Sequence, residues 1–208
     1  MQGSMQNRKF KLRVHYKKVG RAAWTSQLEL ARALEHAIRR SGLPYAVSEG
    51  FSPHMRISFA QALSVGIESE DNVFDILLID YIAPEKCLAA LKDASQSCLE
   101  PLSCAYVDNK QAFEIEEVSK FSVNVACEIK DIKVPDKIKV VKKRKEKEFD
   151  VSKFLDGEVE HKSAKGCTEL SFSLKNFSDG SLNPEIFVRE LLACSGLRDY
   201  QIINFKKL

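Results

Sequence analysis

Between Lys9 and Lys17 every second residue is apolar. Phe10, Leu12, Val14 and Tyr16 alternate with Lys9, Lys11, Arg13, His15 and Lys17. A period of two is that of a half-buried strand, and here the exposed side is strongly basic. Past Gly20 the period lengthens. Leu28, Ala31, Leu34, Ala37 and Ile38 recur at helical spacing and predict a helix from about Trp24 to Arg40. Ser26 and Glu29 form an S-x-x-E capping box at its start, and Gly42 and Pro44 end it. A short strand around Tyr45–Val47 leads into the turn-rich segment Ser48–His54. Ile57–Ala60 and Phe74–Ile79 read as strands, Pro84–Ala94 as a second helix and Leu102–Val107 as a closing strand. The order β-α-β-β(-β)-α-β predicts an α+β, ferredoxin-like sandwich, the β-α-β-β-α-β plan, over residues 1–110, with helices on one sheet face and the basic side chains on the other.

Residues 108–118 are polar and acidic and mark the boundary to a second, smaller α+β unit, residues 111–208. Phe121, Val123, Val125, Cys127 and Ile129 alternate as a strand, and Leu170–Leu174 is another. Asn183 and Pro184 are the cap and first residue of a helix ending at Gly196, before a last strand at Tyr200–Phe205. Between them lies the charge run Lys137–Lys147, whose Lys142, Lys143, Arg144 and Lys145 read as the basic tip of a hairpin.

The 208 residues are 44% hydrophobic and 29% charged, the balance of an ordinary globular chain. Formal net charge is only +3, so no global polycation steers the chain to nucleic acid. Its distribution is uneven. Residues 1–60 hold eleven Lys/Arg against three Asp/Glu, and residues 61–110 hold three against nine, which predicts a basic face and an acidic face. The six cysteines have no CxxC spacing and read as small hydrophobes in a reducing compartment. No apolar run of about twenty residues, signal peptide or lipidation motif is present, so the expected location is cytoplasmic, without a membrane.

Gly50-Phe51-Ser52-Pro53-His54-Met55-Arg56 is the densest cluster of special residues. A glycine that lets backbone approach closely, with an imidazole and a guanidinium two residues apart, fits a phosphate or carboxylate; Gly and Pro also simply punctuate a turn. Capping accounts for Ser26 and Glu29; in the alternative, this helix start faces the His54 loop and completes a pocket. Lys11, Arg13, His15 and Lys17, with Arg56, read as a phosphate-tracking stripe or equally as a solvated edge, since no aromatic residue interleaves on that side of the first strand. Arg39 and Arg40 are an exposed helix flank, with Glu35 and Arg39 an i,i+4 pair. Walker, GxGxxG, GxSxG and HExxH motifs are absent, as is a CxxxCxxC cluster, so neither a catalytic residue, a metal site nor a cofactor is assigned.

Ser48-Glu49-Gly50-Phe51-Ser52-Pro53-His54-Met55-Arg56-Ile57-Ser58-Phe59-Ala60, followed by Leu63-Ser64-Val65-Gly66-Ile67-Glu68-Ser69, resembles the signature "SEGFNPHPRISFA…LPVGVES" of the radical-SAM-linked family. Upstream, Trp24–Leu30 is similar to its "FLSHLDL" segment, and Ala33-Leu34-Glu35 with Ile38–Pro44 to its "ERAxRRAGLP". The resemblance implies a module encoded beside, or fused behind, a radical-SAM protein, acting on RNA or a ribosome-related component. By motif it points to Ser26, Glu29, Arg39, Arg40, Gly50, Pro53, His54 and Arg56. The family's His and Asp of "SHLD" are Gln27 and Glu29 here, which favours a non-catalytic role. The expected function is therefore a binding or partner module that docks RNA or another anionic partner for a separate radical-SAM enzyme. Two alternatives stand beside it: an RNA-processing enzyme using His54 and Arg56, and a purely protein-interaction subunit.

Overall fold

The computed structural model describes residues 9–114, 116–142, 145–177 and 180–208. It is a mixed α/β protein, dominated by sheet, that divides into two compact units, Met1–Glu114 and Ile115–Leu208.

In the first unit, β1 (Phe10–Lys18) is followed by a 3-10 turn, Gly20–Trp24, and α1 (Gln27–Arg40). Then come β2 (Ile57–Phe59), β3 (Glu68–Leu78), α2 (Pro84–Ala94) and β4 (Pro101–Val107). The sheet order is β4-β1-β3-β2, with every neighbouring pair antiparallel. The alternation of β1 does what it predicts: Leu12, Val14 and Tyr16 are buried with Phe74, Ile76 and Leu78 of β3 beneath Leu30, Leu34 and Ile38 of α1 and Cys87 and Leu91 of α2. Both helices thus cover one face.

Three expectations need correction. The first helix starts at Gln27, because the chain first makes a 3-10 turn in which Thr25 N–H donates to the Ala22 carbonyl. Tyr45–Val47 is no strand; it touches its neighbours through two isolated bridges, Tyr45 to Leu78 and Val47 to Met55. The third strand begins six residues earlier than Phe74, since the charged stretch Glu68–Val73 pairs with the basic end of β1.

The second unit contains β5 (Val118–Val125), the hairpin β6 (Lys137–Lys142) and β7 (Lys145–Asp150), the short helix α3 (Val151–Phe154) and β8 (Glu160–Ala164). It closes with β9 (Cys167–Phe177), β10 (Gly180–Ser181), α4 (Pro184–Cys194) and β11 (Ile202–Lys207). Its sheet runs β10-β9-β5-β11, with β8 also on β9. Phe187 of α4 packs against Phe172, 4.9 Å between ring centres, and Phe172 stacks on Phe121 at 5.4 Å. Asn183 caps α4 as expected, its side-chain oxygen accepting from Glu185 and Ile186 N–H. In the hairpin, Lys142 and Lys145 are the last backbone pair; Lys143 and Arg144 lie outside the described residues. No helix among the described residues is long and apolar enough to cross a membrane.

Candidate nucleic-acid interface

The uncovered face of the first unit's sheet can be laid out rung by rung. Arg56 accepts at its carbonyl from Leu77 N–H, and Leu77, Lys11 and Val107 lie abreast on β3, β1 and β4. The next rung is Ser58, Asp75, Arg13 and Ala105, and the one after it Ala60, Val73, His15 and Ser103. Since Leu12, Val14, Ile57 and Phe59 turn into the core, alternation puts Lys11, Arg13, His15 and Arg56 on the same open side. Strands about 4.8 Å apart set the backbones of Arg56 and Lys11 roughly 10 Å from each other.

The cations of β1 are not free. Arg13 donates from Nε and a terminal nitrogen to the two oxygens of Asp75 at 2.9 and 3.0 Å, in a fork in which the side chains are only 12% and 3% exposed. That contact raises the Arg13 pKa. Lys11 Nζ lies 3.7 Å from the same carboxylate and donates to the Gln111 carbonyl at 2.8 Å. His15 Nδ1 is 2.8 Å from Asp71. Lys17 pairs with Glu100, and the hydrogen bond raises the lysine's pKa and lowers the carboxylate's. The uneven charge of the sequence therefore folds onto itself: the acidic stretch after residue 60 supplies a partner to Lys11, Arg13, His15 and Lys17, so on the open face of this strand the two signs are interleaved.

The loop Gly50–Arg56 is different. Its stem is pinned to the end of β3 and to itself: Ala46 N–H donates to Leu77, Arg56 N–H to Ala46, and Ser48 N–H to His54, at 2.7 to 2.9 Å. Met55 is buried and anchors it in the core. Gly50 has φ +118°, a conformation that favours glycine. Pro53 and His54 are exposed; His54 N–H donates to Ser48 Oγ at 3.0 Å, and its Nε2 lies 3.4 Å from Ser52 Oγ. The Phe51 ring is fully exposed. Arg56 is exposed too, and among the described residues no hydrogen bond or ion pair reaches its guanidinium.

Ser26 and Glu29 make the complete capping box. Ser26 N–H and Oγ donate to Glu29 Oε2 at 2.8 and 2.7 Å, and Glu29 N–H donates back to Ser26 Oγ. These bonds lower the Glu29 pKa. They also commit both side chains to the helix. The helix start lies beside Gly66, whose N–H donates to Ala23, just before Glu68 opens β3, whereas the loop stem bonds to Leu77. About 30 Å of strand separates those points. The structure does not bring them together. Arg39 faces Glu35 at 3.5 Å and Arg40 donates to the Ala94 carbonyl at 2.6 Å, both on the helix layer behind the sheet.

Two features escaped the sequence reading. Phe113 returns from the segment after β4 to lie against Arg13, 4.7 Å from ring centre to guanidinium carbon, and so places an aromatic ring on the open face. Lys18 continues the apolar parity of β1 and is only 1% exposed; that parity was the available signal. All six cysteines are free, and burial pushes the Cys104 thiol up to about 11. Among the described residues no three His, Cys, Asp or Glu side chains are grouped to hold a metal ion.

No curated protein matches the chain. One family model does, over residues 11–184, which include the β4-β1-β3-β2 sheet except Phe10, both of its helices and the protruding loop. The chain accordingly belongs to the family described as uncharacterized protein conserved in bacteria, DUF2344.

Proposed function

We propose that the chain is a binding module without a self-contained catalytic centre, and that it docks single-stranded RNA for a separate radical-SAM enzyme. One observation carries the reading: Phe51 stands fully exposed on a pinned loop that also bears the free cation Arg56. An exposed aromatic ring offers a face on which any unpaired base stacks, and a neighbouring guanidinium holds the phosphate that follows. A duplex would present neither base face. We read the first unit as ferredoxin-like, supported by its strand order and by helices confined to one side, an arrangement that leaves the opposite sheet face to a ligand. The radical-SAM partner enters through the resemblance of the Ser48–Ser69 and Trp24–Pro44 segments, and the cytoplasmic setting through the scattered cysteines, which suit a reducing compartment.

The test is binding of a labelled single-stranded oligoribonucleotide to the full chain. Phe51→Ala and Arg56→Ala are each expected to weaken it about tenfold, the loss of one stacking or one phosphate contact. Binding by Phe51→Ala equal to that of the parent, or no binding by the parent at low salt, overturns the proposal. If the parent cleaved the RNA and His54→Ala did not, the loop would instead be catalytic.

A further inference from the structure

The rungs that carry Arg13 and His15 also form the floor of an open groove of about 460 Å³ across the sheet. Small side chains, Ala60, Ser103 and Ala105, make that floor flat, and Phe113 and Glu114 rise beside it. Its volume is that of a small-ligand site. Arg13 is occupied by Asp75 on its fork and by Phe113 on its flat side, and it donates once more to the Ala112 carbonyl at 3.2 Å. It is thus a wall and not an anion trap. Its pairing with Asp75 also cancels its charge, and Glu114 adds a negative one, so a phosphate finds no attraction inside the groove. What the groove does offer is a flat floor, an aromatic ring, a carboxylate and two hydrogen-bonding side chains. His15 and Ser103 face each other across β1 and β4, and Asp71 holds His15 at Nδ1, which leaves Nε2 to a ligand.

A flat, neutral ring with polar edges matches this set, and a carboxylate accepts best from two adjacent N–H donors. Among the nucleobases, guanine carries that pair on its Watson–Crick edge. We infer that this groove is a nucleobase pocket of guanine preference, with Glu114 accepting from the base edge and Phe113, His15 and Ser103 fixing its orientation. The inference rests on the RNA-docking reading and deepens it: Ala60 is four residues beyond Arg56 on the same edge of the sheet and the same face, so one strand of RNA reaches from loop to groove.

The pocket is tested with mononucleotides, which are too small to engage the loop and the groove together. Calorimetric titration of the full chain with GMP, AMP, CMP and UMP is expected to show GMP bound most tightly. Glu114→Gln should weaken GMP about tenfold and bring it level with AMP, because one acceptor is replaced by a donor. Ser103→Trp, which fills the exposed floor, should abolish binding of all four while the far-UV circular dichroism stays that of the parent. Equal affinity for the four nucleotides in the parent, GMP binding untouched by Glu114→Gln, or no nucleotide binding at all overturns the inference. A chain that binds GMP but not RNA would sink the RNA reading and leave the pocket; one that binds RNA through Phe51 but no nucleotide would sink the pocket alone.

Discussion

Lys18 and Lys17 are neighbours in sequence with opposite fates. Lys17 reaches Glu100 at the surface, whereas Lys18, in register with the apolar side of β1, is only 1% exposed and its ammonium meets no hydrogen-bond or ion-pair partner among the described residues. Desolvation lowers its pKa, so the folded chain binds this proton less tightly than the unfolded chain does. The cost is therefore full below the folded-state pKa and is relieved as pH climbs towards the ordinary lysine value of about 10.4. Lys18→Met keeps the unbranched stem and removes the ammonium. It is expected to raise Tm at pH 7 by about 2–4 °C, the shift that ~1 kcal/mol produces in a chain of this size, with a smaller gain at pH 10. Thermal denaturation at the two pH values checks this, and a lower Tm at pH 7 would assign the ammonium a stabilising contact. Phe51 shows the same contrast from the other side. Its position inside a signature motif hid the fact that it is an apolar ring left wholly in water.

At the scale of elements, α1 and α2 were the most legible parts, because periodicity and capping signals are local. The predicted bounds of α2 are those observed, and the S-x-x-E box predicted for α1 is fully formed. Ser26→Ala removes its hydroxyl partner and is expected to lower Tm by about 2–4 °C. The Glu29 pKa is lowered first by the Ser26 side chain, then by its backbone N–H, so this carboxylate's contribution is present above its unfolded pKa and lost as pH falls through the folded one. Ser26→Ala should consequently flatten the acid limb of the stability curve; an unchanged limb would show that the box contributes nothing in solution. Strands were less legible. All five residues of β8 are exposed, so no alternation marks it, and the acidic half of β3 reads as loop until its partner strand is known. Ile129 extends the apolar alternation of β5 in sequence but lies beyond the strand's end at Val125, where Thr168 Oγ1 receives its N–H at 2.9 Å.

For the whole molecule, charge pairing sets the expected response to salt. With Lys11, Arg13, His15 and Lys17 each facing a carboxylate, Arg56 is the cation that this loop, among the described residues, leaves to meet phosphate. A single strand neutralised at about one phosphate gives a slope of log K against log salt near −0.7. Titrations between 50 and 200 mM salt measure it. A slope several times steeper would mean that the β1 cations leave their carboxylates on binding, and that the face is a polycation after all. The same pairing explains why net charge by segment misread the surface: the two segments of opposite sign are adjacent strands of one sheet.

The sequence by itself determined the local features: the alternation of β1 and which of its side chains turn inward, the two amphipathic helices and their caps, and the composition of the loop at Gly50–Arg56. Each is a property of residues within a turn or two of one another, where spacing alone decides which side chains share a face. Tertiary structure alone decided what those faces meet. Arg13 finds Asp75 across 62 residues and the Ala112 carbonyl, with Phe113 beside it, across 99, and both depend on the register in which β1, β3 and β4 align. Register is fixed by the packing of whole strands against a shared core, and a residue's own neighbours in the chain carry no record of it.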